Sequence, residues 1–346
     1  DTNIKKNNSK NIKKRKFLNL NSKDNFVKFL LKNLIKVLPK NYLENFDLIQ
    51  KNISNLNWPK KPKIILTSYS HYNDEIFKIY TAQRLNKGTK LVILQHGHQG
   101  HHDLCGTYYE KRVCDKYITW GNRMNDKKTI PLFVPTNIGK TIKKKNPKGI
   151  LLKITEFQLI PWKSTHAPRE IESVIIYKDN LKIFLEILNK FSRKITTIKS
   201  YDYNNLNFVT KELKVNFKEI KIKKVSKLIG RGYQEAFDKD LVIETFNSTG
   251  FIELLSMNSP VILITTKSLF YVKNEYKQYY DALIKNKIIF LNAKEAGKYI
   301  NKNLSKINDW WLEKNRQKAI QFFCKNMCRY EKNSIDKLSV ILKKNC

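Results

Sequence analysis

Residues 241–264 read LVIETFNSTGFIELLSMNSPVILI, and the whole chain is read outward from them. Leu241–Thr245 and Val261–Ile264 are short apolar runs of strand length. Asn247, Ser248, Thr249 and Gly250 make a turn, and Gly250–Met257 has helical spacing. Ser and Thr are good N-caps, and Gly lets a phosphate approach the backbone closely. The unpaired N–H groups and positive dipole end of such a helix make an anion site. Glu253 lies one turn in, within reach of a ribose hydroxyl pair. An ordinary capped turn with a solvent-facing Glu fits the same spacing equally well.

Strands alternating with helices continue on both sides, which implies parallel sheets with helices on both faces. Towards the N-terminus, Lys63–Tyr69, Leu91–Gln95 and Lys116–Trp120 read as strands. Asp74–Leu85 reads as a helix that starts on acidic residues and ends at Gly88. The alternation restarts after Thr141–Lys148 (TIKKKNPK). There Gly149–Ile154 and Lys194–Ser200 are predicted strands, and Glu170–Leu188 is a helix. Past the central stretch come helix Asn274–Lys285, strand Ile288–Leu291, helix Lys294–Ile300 and a long helix Asp309–Met327. Residues 1–16 form a basic arm, expected to be disordered. Phe26–Val37 is a basic amphipathic helix, expected to pack on its own domain, with a membrane surface as the other reading. The expected divisions are therefore 1–16, 17–145, 146–308 and a returning segment 309–346.

A second chemically loaded stretch is LQHGHQGHHDLCGTYY, residues 94–109, which carries four of the six histidines. It follows a strand, so it forms a loop at the carboxyl end of a sheet. His is well suited to proton transfer near neutral pH. His96, first after the strand, is the most firmly placed candidate base, with His98 and His101 lining the cleft. His98, His102 and Asp103 are weighed as zinc ligands, but no helical His-x-x-x-His context supports them. Arg231, between two glycines, is a phosphate fork or an ordinary salt-bridge partner. Ser68, His71 and Asp74 follow the first strand and are expected to face the same cleft.

Composition bounds these readings. The chain has 346 residues, 41% hydrophobic, which suggests two domains with real cores. No run of about 20 apolar residues predicts a transmembrane helix, and no signal peptide is expected. Asp1 in place of Met fits an internal start. The five cysteines read as free thiols. The net charge of +37 comes from 67 basic against 30 acidic residues, yet only nine of the basic ones are Arg. Dispersed Lys beside abundant Asn and Ile reads as compositional drift, next as attraction to anionic lipid, and nucleic acid is unlikely.

The strings KPKIILTSYS, KLVILQHGHQG, CDKYITWG, ETFNSTGFIELLSMNSPVI and the closing WW…R…FC resemble a family of transferases from bacterial surface-carbohydrate (O-antigen) gene clusters. The resemblance spans roughly residues 40–330. It implies an α/β, GT-B-like arrangement: two Rossmann-like doubly wound domains facing across a cleft. The C-terminal domain would hold a nucleotide-sugar donor and the N-terminal one a lipid-linked glycan acceptor. Ser248, Thr249 and Gly250 would hold the donor phosphates, Glu253 the nucleotide sugar, and His96 would be the base. The final helix, with Trp310 and Trp311, would cross back to brace the N-terminal domain. No metal or cofactor is expected, and the setting would be cytoplasmic, at the inner membrane face. A sugar-nucleotide epimerase or polyol-phosphate transferase of the same fold is the alternative. A non-catalytic basic protein binding nucleic acid or anionic lipid is a further one.

Overall fold

The computed structural model describes residues 11, 13, 15, 22–97, 106–121, 127–138, 148–156, 159, 169–202, 208–225 and 236–345. The chain divides into two compact units, one of residues 1–94 and one of residues 95–345. The boundary expected at Thr141–Lys148 falls mostly on 139–147, outside the described residues.

In the first unit, β1 (Ile64–Thr67) and β2 (Lys90–Leu94) pair in parallel, with Ile65 beside Leu91 and Thr67 beside Ile93. The helix Glu75–Leu85 connects them. Asp74 stands just outside it as N-cap, its carboxylate accepting from the Phe77 N–H at 2.9 Å, where a negative charge meets the positive helix end. Gly88, at φ +89°, turns the chain into β2. Arg15, expected in a disordered arm, is instead buried. Its guanidinium pairs with Glu44 at 2.7 Å and holds that carboxyl below the usual range. The helix Asn25–Val37 forms where the periodicity predicts it. Packing on its own domain is overturned for one face, because Phe26, Phe29, Leu30 and Val37 stay exposed.

The second unit holds β3 (Lys116–Thr119) paired in parallel with β4 (Thr129–Pro131). It also holds a six-stranded parallel sheet of β5 (Ile150–Glu156), β6 (Thr196–Asp202), β7 (Lys221–Val225), β8 (Leu241–Glu244), β9 (Val261–Ile264) and β10 (Ile289–Phe290). The spatial order is β10-β9-β8-β5-β6-β7. Counted from β5 this is the doubly wound order 3-2-1-4-5-6, in which the chain reverses direction across the sheet between its first and fourth strands. Here those strands are β5 and β8. Every residue of β8 and β9 is buried, as a sheet covered on both faces requires.

Two strands escaped the sequence reading. Thr129–Pro131 is too short to show periodicity. Lys221–Val225 (KIKKV) is mostly Lys and has neither an apolar run nor a strict alternation, as suits its place at the sheet edge. The predicted helix Asp309–Met327 is two helices, Ile307–Leu312 and Lys314–Met327, because Glu313 is extended at φ −54°, ψ 133°. That break turns Trp310 and Trp311 inward. Trp311 Nε1 donates to the Asn258 carbonyl at 3.1 Å, and Trp310 Nε1 donates to Tyr299 Oη at 3.0 Å. Both of these partners lie in the second unit. Further along the chain, still within this unit, the contacts are made by backbone. Arg329 N–H donates to the Trp120 carbonyl at 2.6 Å, and its own carbonyl accepts from Val134 N–H at 2.9 Å. Cys114, Cys324 and Cys328 are free thiols. Among the described residues no helix is long and apolar enough to cross a membrane.

Candidate active site

The reversal point of the sheet is where doubly wound folds bind ligands, outside the carboxyl ends of the strands. At that point β8 delivers Glu244 beside Lys153 of β5. The next residues, Thr245 to Ser248, turn into the helix Thr249–Ser256. Ser248 caps this helix. Its Oγ accepts from the Phe251 N–H at 3.1 Å and donates to Glu244 Oε2 at 3.0 Å. The predicted strand, turn and cap are all present.

The chemistry at the cap includes a residue that sequence reasoning passed over. Lys153 Nζ forms a salt bridge with Glu244 Oε1, and both side chains are largely buried. A Cβ added at Gly250 would lie 2.7 Å from Lys153 Nζ and 2.9 Å from Glu244 Oε1. Gly250 therefore makes room for an ammonium group under the first turn of the helix. Strand register puts Lys199 directly beside Lys153, so Glu244, Lys153 and Lys199 share one face across three adjacent strands. The available signal was a Lys in the middle of ILLKITE, a strand otherwise buried almost throughout.

The turn itself is tied down from below. Thr245 Oγ1 donates to the Lys153 carbonyl at 2.8 Å, so the 2.7 Å contact between Thr245 Oγ1 and Tyr177 Oη is a donation by Tyr177. Tyr177 Oη in turn accepts from the Thr155 N–H at 3.2 Å. Burial raises the Tyr177 phenol well above its ordinary value, which keeps it a neutral donor.

Opposite the cap lies the loop with His96. Gln95 fixes its base: its N–H donates to the Ile118 carbonyl at 2.8 Å, and its side chain donates to the Gly97 carbonyl at 2.7 Å. It also accepts from Trp120 twice, from the backbone N–H at 3.0 Å and from Nε1 at 2.9 Å. Gln95 and Trp120 are both buried, whereas His96 between Gln95 and Gly97 is exposed. A Cβ on Gly97 would sit 2.7 Å from Thr249 Oγ1. The His96 loop and the helix cap therefore touch, with only a glycine's width between them.

Glu253 is placed by a third segment that sequence reasoning missed, the short turn Pro135–Asn137. Thr136 Oγ1 donates to Glu253 Oε1, and Asn137 Nδ2 donates to the Glu253 carbonyl at 3.2 Å. Glu253 is thus buried and oriented. Among the described residues, the buried atoms Asn137 Oδ1 and Asn247 Oδ1 accept no hydrogen bond, which is uncommon for buried polar atoms. Replacing Thr136 with Val keeps its shape and removes its hydroxyl. The expected result is a loss of about 1–3 kcal/mol in urea unfolding, the cost of a buried carboxylate oxygen losing its donor.

Ser68, half-buried, and His71, buried, follow β1 in the first unit, where the His71 ring lies 4.2 Å from that of Tyr72. Arg231, His98 and His101 lie outside the described residues, as do His102 and Asp103. Among the described residues no group of three or more His, Cys, Asp or Glu could hold a metal ion.

Comparison with known proteins accords with this layout. A family model described as LIC12162 family transferase matches residues 1–342. No curated protein matches the chain. Among solved structures, a variant of S. aureus TarM, in complex with Fondaparinux, alpha-GlcNAc-glycerol and UDP, is 13% identical with TM-score 0.51 over 87% of this chain. The chain spans 59% of that protein's length. A Listeria monocytogenes protein assigned as a UDP-N-acetylglucosamine 2-epimerase is 11% identical with TM-score 0.51, over 87% of this chain and 78% of its own. At such identities the likeness is one of fold, and the fold is GT-B-like, with two Rossmann-like domains.

Proposed function

This chain belongs to the LIC12162 family of transferases, and we propose that it is a glycosyltransferase moving a sugar from a nucleotide-activated donor to an acceptor hydroxyl. The observation that carries this reading is the contact between the His96 loop and the Thr249 cap, beside the buried Lys153–Glu244 pair. In this reading the donor diphosphate rests on the N–H groups of Thr249 and Gly250, at the positive helix end. The Lys153 ammonium offsets the charge that grows as the bond from the sugar's anomeric carbon to phosphate oxygen breaks. His96 takes the proton of the acceptor hydroxyl as its oxygen bonds to the anomeric carbon. Glu253, turned by Thr136, holds the nucleotide's ribose. The likeness to TarM, a structure holding UDP, favours a uridine donor. The family resemblance favours a lipid-linked, surface-polysaccharide acceptor, hence a cytoplasmic site of action at the inner membrane face, and chemistry without a metal.

A thermal-shift panel of nucleotides and nucleotide sugars tests this directly. One base is expected to stabilise the protein selectively, by about 2.7 kcal/mol when ligand exceeds Kd a hundredfold. No shift with any nucleotide, together with steep salt-dependent binding to duplex DNA, would replace the proposal with a non-catalytic nucleic-acid role. The epimerase-like fold neighbour marks a second outcome: nucleotide sugar converted without any acceptor would indicate epimerisation.

A further inference from the structure

The helix Asn25–Val37 presents to solvent what a globular domain normally buries. Phe26 is 71% exposed, Phe29 65%, Leu30 48% and Val37 71%. At about 100° per residue, Phe26, Leu30 and Val37 fall within about 40° of one another, with Phe29 on their flank. The helix attaches by a different stripe, Leu31, Leu34 and Leu38, which is half-buried. A third stripe at i, i+4, i+8 is Lys28, Lys32 and Lys36, all exposed, bordering Phe29. No acidic residue occurs from Asn25 to Leu38. The helix is well formed, with Asp24 accepting from the Val27 N–H at 2.9 Å.

We propose that this helix is the docking surface for an anionic lipid bilayer. A helix resting on its own domain points polar residues outward. This one points two phenylalanines, a leucine and a valine outward and keeps one edge uniformly cationic. Apolar side chains that reach the acyl boundary, with lysines at headgroup level, are how helices lie in a membrane interface. Duplex nucleic acid would use the lysines and leave the outward phenylalanines without a partner. A second copy of the helix would bring its lysine stripe close to the other's. The inference agrees with a lipid-linked acceptor but rests on the helix alone, and its test needs no turnover.

The test is co-sedimentation of the full chain with vesicles of phosphatidylcholine, with or without about one third phosphatidylglycerol. Binding is expected on the anionic vesicles and much less on the neutral ones. It should fall at least about tenfold in the triple variant Phe26→Ser, Phe29→Ser, Leu30→Ser, and likewise in Lys28→Glu, Lys32→Glu, Lys36→Glu. Because these side chains face outward, the unfolding midpoint and any nucleotide-induced shift should stay as in the parent protein. Equal vesicle binding by the serine variant would overturn the proposal, assigning attraction to dispersed lysines. So would absence of binding by the parent chain, or a serine variant whose only change is lost self-association.

Discussion

Replacing Lys153 with Met is expected to destabilise the protein by about 3–5 kcal/mol, the usual cost of leaving a buried charge without its partner. Glu244 would be the stranded group: it is buried, and it would be left accepting from the Ser248 hydroxyl at 3.0 Å. Equilibrium unfolding in urea measures the loss. A second variant separates stability from function. Lys153→Met with Glu244→Gln removes both charges while the amide can still accept from Ser248, so most of the stability should return. Nucleotide binding should not return, because the ammonium beside Gly250 is gone. If the double variant binds nucleotide as tightly as the parent, Lys153 is structural only. If the single variant is as stable as the parent, the pair is not effectively buried in solution.

Replacing His96 with Ala is expected to lower kcat for sugar transfer by about 10²–10⁴-fold, the range of a lost general base. The nucleotide-induced thermal shift should be unchanged, because the proposed donor cradle is Thr249, Gly250 and Lys153 rather than His96. The fold should also survive, since the buried members of the loop are Gln95 and Trp120 rather than the exposed His96. A parent pH–rate profile with an acidic limb that the variant lacks would identify the group lost as the titrating base. Full activity in His96→Ala removes it from that role. Gly97→Ala gives a contrasting result: its methyl would press on Thr249 Oγ1, so donor binding and kcat should fall together.

The parts of this site that could be read in advance were those made by neighbours along the chain. The Ser248 cap closes within three residues, from Oγ to the Phe251 N–H, and the Asp74 cap does the same. Such bonds depend on residue type and spacing alone. Lys153 and Glu244 are 91 residues apart, and Thr136 and Glu253 are 117 apart. No local pattern announces either pair. Lys153 stands within an apolar, strand-length run and Thr136 follows a proline, and the residues around neither one name its partner. Gly250 reads as room for a phosphate, and only the assembled sheet shows that the space its missing Cβ leaves is bordered by Lys153.

From the sequence alone came the class of fold and the positions of most of its strands. Runs of LVI and VILI, helical spacing between them, caps and terminating glycines specify parallel strands with crossover helices, because each signal acts over one or two turns of chain. The tertiary structure alone decided which carboxyl ends meet. It put β5 beside β8, so Lys153 found Glu244. It laid Gly97 against Thr249, turned Trp310 and Trp311 into the second unit's own core, and left Phe26 and Phe29 facing outward. The physical reason is that strand order and helix-face packing are chosen by the sum of many distant apolar contacts. A residue's pattern states that it will be paired or buried, and only the assembled sheet states with what.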